Sequence, residues 1–185
     1  MKFSRLRISA QLVAAALLAA VAGLSSGCAA GGGLMASNVA SAPAPATGRV
    51  LTSAEVRAVI PGAIIGDDRY AEVNSAWLRE WYRMFRAQLF KLGIVNWDER
   101  FDCNRIADFY SNLAQAYFSI QMFHSRTPAQ ALALGPFWYV RADGKGPHAV
   151  IQALTERGRV FIDPQTGLEL DLQLVERQSA YVQMF

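Results

Sequence analysis

Apolar residues recur at a helical period through the middle of the chain and at a period of two towards its end. Thr52-Ser53-Ala54-Glu55 has the spacing of a capping box and predicts a short helix that Pro61-Gly62 closes. From about Ala71 to Leu92 a second helix is expected. Trp77, Leu78, Trp81, Phe85, Leu89 and Leu92 fall on one stripe of it, and Gly93 is its natural stop. In "FDCNRIADFYSNLAQAYFSIQMF", Cys103, Ile106, Ala107, Tyr110, Leu113, Ala114, Tyr117 and Ile120 share a face, while Asn104, Arg105, Asp108, Ser111, Asn112 and Gln115 fill the opposite one. Asp102 suits an N-cap, which makes Cys103 the first residue of this third helix. Beyond Pro128 the pattern becomes strand-like in "FWYVRA", "HAVIQAL", "RVFID" and "LELDLQL", with Gly and Pro between the runs. Helices followed by strands predict an α+β domain in which N-terminal helices, one bearing the cysteine, pack on a mainly antiparallel sheet.

The first 49 residues have a different character. Lys2, Arg5 and Arg7 precede the apolar run "ISAQLVAAALLAAVAGL" and then "LSSGC", the order of a secretory signal over residues 1–27. Its ending resembles a bacterial lipobox, with the leucine one place further from Cys28 than usual. The resemblance implies that Cys28 is lipidated and that the protein is held at the cell envelope, on the periplasmic side of the outer membrane in a Gram-negative host. Residues 28–49 carry Ala, Gly, Ser and Pro with almost no charge and read as a flexible tether, leaving residues 50–185 as one domain. Three of the 18 basic residues lie before Cys28, so the remainder has 15 against 15 acidic ones. The basic balance belongs to the leader, and no nucleic-acid partner is expected.

With Cys28 acylated, Cys103 is the only thiol. A cysteine at a helix N-terminus is where backbone N–H groups and the helix dipole favour a thiolate. Histidine is the side chain suited to act as its base near neutral pH, and a third residue fixes the imidazole. The hairpin in "GPHAVIQALTERGRVFIDPQTG" offers both in His148 and Asp163. An even-numbered loop puts them on one face of the sheet. A loop at Thr155-Glu156 sets them directly opposite each other, whereas Arg157-Gly158 sets Asp163 opposite Gln152, with Gln165 as a substitute orienter. His124 lies about 30 Å along the third helix from Cys103 at 1.5 Å per residue, too far to serve. One usable cysteine and two scattered histidines exclude a zinc site, and "AAGGGL" lacks the P-loop lysine. No metal and no cofactor are expected.

"DCNRIADFYSNL", "HAVIQALTERGRVFIDPQTG" and their order are similar to the transglutaminase-like and papain-like cysteine peptidase superfamily. They also resemble the papain-like C-terminal domain of certain fungal agglutinins. The resemblance implies a papain/transglutaminase-like fold with Cys103 as nucleophile, His148 as base and Asp163 as orienter. Asn104-Arg105 stands where a second acidic residue is common, and Asn96 or Trp97 would have to complete an oxyanion hole. The expected function is a membrane-anchored thiol hydrolase or acyltransferase acting on amide bonds of a peptide or protein in the envelope. The alternative is a non-catalytic lipoprotein domain that keeps the fold and serves as a binding module.

Overall fold

A computed structural model describes residues 43–95, 101–123 and 125–185. The predicted signal, the lipidation site Cys28 and most of the tether therefore lie outside the described residues, as do Asn96, Trp97 and His124. Among the described residues there are eight strands and four helices. The strands are β1 (Ala46–Thr52), β2 (Arg69–Val73), β3 (Ala131–Leu132), β4 (Leu134–Val140), β5 (Pro147–Thr155), β6 (Gly158–Ile162), β7 (Glu169–Leu170) and β8 (Val182–Gln183). The helices are α1 (Ser53–Val59), α2 (Ser75–Lys91), α3 (Cys103–Met122) and α4 (Leu174–Gln178). The expected α+β class holds. The sheet is mostly antiparallel, but β2 pairs in parallel with β3 and β5, so it is mixed.

The caps behave as their side chains dictate. The Thr52 hydroxyl accepts from the Glu55 amide at 3.2 Å, and the Glu55 carboxylate accepts from the Thr52 amide at 2.7 Å, closing the capping box of α1. Asp102 caps α3 by accepting from the Arg105 amide at 3.2 Å, so Cys103 is indeed the first helical residue.

Two expectations are corrected. The second helix was expected from Ala71, yet Arg69–Val73 is a strand, and α2 starts only after Asn74 accepts from the amides of Ala76 and Trp77. The amide-bearing cap is a stronger stop signal than the apolar stripe, which continues through Ala71 and Val73 because the strand buries them. "LELDLQL" forms only the two residues of β7 before Gln173 and Glu176 build a capping box for α4.

The two faces of the sheet are packed differently. On one face lie α2 and α3. Trp77, Trp81, Phe85 and Leu89 interlock there with Ile106, Tyr110, Ala114 and Phe118 over Ala149, Ile151, Ala153, Val160 and Ile162 of the sheet. Gln115, expected on the solvent side of α3, instead donates to the carbonyls of Leu132 and Leu134 and accepts from the Leu132 amide at 2.8 Å, bonding the helix to β3 and β4. The opposite face carries Phe137, Tyr139, Val150, Phe161 and Leu172. Beside it a smaller cluster packs Val56 and Ile60, from the α1 segment, on Tyr70, Ala133 and Leu154.

Candidate functional site

The β5–β6 hairpin closes with Thr155 paired to Gly158 across the two-residue loop Glu156-Arg157. This lies between the two registers weighed above. Thr155 Oγ1 donates to the Gly158 carbonyl at 2.9 Å and accepts from the Arg157 amide at 3.1 Å, which fixes the turn, and Gly158 takes φ 94°, a value that favours glycine. The even loop keeps His148 and Asp163 on one face. Ile162 pairs with Ile151, so the next position, Asp163, falls diagonally from His148 rather than opposite it. The gap is bridged by the side chains, with His148 Nε2 3.8 Å from Asp163 Oδ2. At that separation the contact is an ion pair when the imidazole is protonated, not a full hydrogen bond.

Asp163 also organises the turn after β6. Its Oδ1 accepts from the Gln165 amide at 2.8 Å, and its carbonyl accepts from the amides of Thr166 and Gly167. Gly167, at φ 75°, lets the Tyr82 ring sit where a Cβ would be, and Tyr82 Oη donates to the Gln165 carbonyl at 3.0 Å. Gln165 is thus held by its backbone against α2. Burial works to raise the Asp163 pKa and is the largest single effect. The His148 side chain, the Gln165 and Thr166 amides and the imidazole charge together outweigh it and hold the carboxyl below the usual carboxylate range.

Strand alternation divides the residues of β5 between the two faces of the sheet. Ala149, Ile151 and Ala153 face α2 and α3, so His148, Val150 and Gln152 face the other way. His148 stands edge-on to Tyr139, its partner across the β4–β5 ladder, with ring centroids 6.0 Å apart. Cys103 is half-buried and packs against the helix-side cluster, and its Sγ lies 3.6 Å from Asn104 Oδ1. The structure brings His148 and Asp163 together and leaves Cys103 out of hydrogen-bonding contact with both.

What His148 and Asp163 do share is a groove of about 460 Å³. Its walls come from three places. Tyr139 lies in β4, with Arg141, Ala142 and Asp143 just after it; Leu170 ends β7, with Asp171 and Leu172 just after it; Gln173 and Glu176 begin α4. Arg141 holds Asp143 through two nitrogens, at 2.6 and 3.2 Å. Glu176 accepts from the Ala142 amide at 3.0 Å and from the Gln173 amide at 2.9 Å, bonding α4 to the turn after β4. Burial, with Glu176 adding to it, pushes the Tyr139 phenol up to about 12, so it remains a neutral hydroxyl. The lining offers carboxylates, an amide, a guanidinium and an imidazole above an apolar floor of Leu170 and Leu172. Such a mixture of donors and acceptors suits a hydroxyl-rich ligand better than an apolar one.

Sequence reasoning reached His148 and Asp163 but passed over Tyr139, Arg141, Asp143, Gln173 and Glu176. The polar cluster in "YVRADGKG" and the capping-box spacing from Gln173 to Glu176 were the available signals.

No family model and no curated protein sequence matches the chain. Solved structures do. One is the "PSL1a-E64 complex", at 20% identity and a TM-score of 0.55, covering 74% of this chain and 51% of that one. Another is the Polyporus squamosus lectin bound to the human-type influenza-binding epitope Neu5Aca2-6Galb1-4GlcNAc, at 19% identity and a TM-score of 0.55, covering 74% of this chain and 49% of that one. The fold is shared with both structures. This chain spans about half the length of each.

The likeness to fungal agglutinins is therefore upheld, and the expected thiol hydrolase or acyltransferase is corrected. One neighbour is a lectin bound to a glycan epitope, and the readings of a cysteine peptidase, a transglutaminase-like enzyme and a peptide substrate are given up. The physical reason lies in the sheet. A strand buried on both faces conceals from sequence which face the cysteine helix covers, and His148 points to the other one.

Proposed function

We propose that this chain is a saccharide-binding module whose ligand lies in the groove lined by Tyr139, Arg141, His148, Asp163, Gln173 and Glu176. The observation that carries the reading is an open, strongly polar groove on a fold shared with lectins. A sugar ring presents paired hydroxyls on its edges and apolar C–H on its faces. The groove matches this with planar acceptors in Asp163 and Asp171, donors in Arg141 and Gln173, and the Leu170–Leu172 floor. The N-terminal signal-like segment supports a place at the cell envelope with Cys28 lipidated. There the module faces glycans outside the cytoplasm.

Titration calorimetry of the full chain against Neu5Ac-Gal-GlcNAc, its asialo disaccharide and a neutral glucan tests the reading. Saturable heat with at least one of them, lost in Arg141→Ala, is expected. No heat with any of the three would refute it. Replacing Cys28 by Ser should move the protein from the membrane to the soluble fraction, and retention in the membrane would refute the lipid anchor.

A further inference from the structure

Helix α2 has a second stripe that the core does not use. Trp77, Trp81, Phe85 and Leu89 are buried against the sheet, whereas Arg79, Arg83, Arg86 and Phe90, three or four residues apart, run down the opposite side. Arg79 and Arg83 are exposed, and so is more than half of the Phe90 ring. The Arg86 guanidinium stands over that ring, 5.0 Å from its centroid, and its Nη2 donates to the Val95 carbonyl at 3.4 Å. This bond gathers the chain beyond the helix against the stripe, where Leu92 and Val95 are also more than half exposed and Lys91 adds a fourth cation. Contiguous apolar exposure among polar residues marks a contact surface, which apolar residues scattered singly do not.

The charges decide what it contacts. Glu80 is the only acid on α2, and it pairs with Arg83 at 3.1 Å on the surface, where such a pair is weak. No ion pair among the described residues involves Arg79, Arg86 or Lys91. Acids and bases are equal in number beyond Cys28, so the excess of cations is local to this helix. A row of cations beside exposed Phe, Leu and Val, on a helix whose other side is packed, suits an anionic lipid surface. The long arginine stems lie along apolar groups while their heads reach phosphate. The length of chain before the domain agrees. Residues 29–45 separate Cys28 from Ala46, and a Gly- and Ser-containing chain of that length spans about 20–25 Å on average. A lipid on Cys28 therefore holds the domain near the bilayer, at an effective concentration that lets a weak contact persist.

We propose that the stripe from Arg79 to Val95 docks on anionic phospholipid headgroups, with Phe90 and Leu92 entering the interface. The docking rests on the lipid-anchor reading and is independent of which saccharide is bound. It has a consequence for recognition. Because α2 covers one face of the sheet and His148 lines the groove on the other, docking turns the groove away from the bilayer.

The test is photo-cross-linking of the full chain to diazirine-bearing lipid, with the adducts mapped by mass spectrometry. Vesicles of phosphatidylcholine alone are compared with vesicles that also contain phosphatidylglycerol. Adducts should concentrate on residues 79–95 in the anionic vesicles, be sparse on residues 141–145 beside the groove, and decline as salt is raised. The triple variant Arg79→Gln, Arg83→Gln and Arg86→Gln should reduce them at least tenfold, since each cation near such a surface contributes about fivefold. Its saccharide binding should be unchanged. Phe90→Ser, a single exposed position, should reduce them severalfold and serves as the second variant should the triple one fail to fold. Adducts spread evenly over both faces, or equally abundant on α2 in neutral vesicles, overturn the proposal. So do links from α2 to a second copy of the chain in place of lipid adducts, which would make the stripe a dimer face. Fractionation of Cys28→Ser reports on the anchor separately. Its release to the soluble fraction, with no α2 adducts in the native chain, removes the docking and keeps the anchor. Its retention in the membrane, with α2 adducts in the native chain, removes the lipid anchor and keeps the docking.

Discussion

The two faces of the sheet are built from the same strands and do opposite things. On the helix side, Trp77 stacks on Trp81 at 5.1 Å, Phe85 meets Tyr110 at 4.8 Å, and the cluster closes over Ala149, Ile151 and Ala153. On the far side Phe137, Val150 and Phe161 make a smaller apolar strip, and charged residues sit at both ends of it. Small residues on β5 (Ala149, Ala153) let the helices approach closely, while the alternate positions His148 and Gln152 carry polar groups to the other surface. On the proposed function, stability resides mainly on one face and recognition on the other. Cys103, at the start of α3, packs against the helix-side cluster.

The comparison is broken most severely by truncating the helix side. Phe85→Ala, at a fully buried position, should cost about 3–5 kcal/mol, the usual range for emptying an aromatic site. Urea unfolding monitored by tryptophan fluorescence would show it; a loss under about 1 kcal/mol would mean that this face does not carry the fold.

A smaller effect is expected for the groove. Arg141→Ala removes a donor to ligand and should weaken saccharide binding about tenfold or more, in line with about 1.5–3 kcal/mol for a hydrogen bond to a charged group. Its partly exposed pair with Asp143 contributes little to folding, so the melting temperature should shift by no more than a few degrees. A collapse of stability together with binding would blur the division between faces.

Much of this division was legible in the chain, and its decisive part was not. Thr52 with Glu55, and Asp102 before Cys103, declared their helix starts because short polar side chains have one economical use there. The even hairpin loop made His148 and Asp163 companions. Which face they share was hidden, since Val150 and Leu154 are as apolar as Ile151 and are buried too. The strand Arg69–Val73 was masked by an apolar stripe that runs on into α2. Five-residue α4 offers too few turns for a period to show. The groove residues come from four separated segments, and only the tertiary fold places Arg141 beside Glu176.

The pH dependence of stability sharpens the picture at lower amplitude. Asp163 has a folded pKa below its unfolded one, so its contribution is present above the usual carboxylate range and is lost as pH falls through the lower, folded value. Asp163→Asn should therefore flatten the acid limb of a melting-temperature profile between about pH 5 and pH 2, with little change in slope near neutrality. An unchanged acid limb would show that the His148 and turn contacts do not favour the ionised carboxyl.

The most direct measurement compares ligand binding in Cys103→Ala and His148→Ala with that of the native chain, by calorimetry with the sialylated trisaccharide. Cys103→Ala should bind as the native chain does, since its side chain belongs to the helix face. His148→Ala should bind at least severalfold more weakly. Binding that is lost in Cys103→Ala and kept in His148→Ala would place recognition on the wrong face of the sheet and contradict the assignment of the groove.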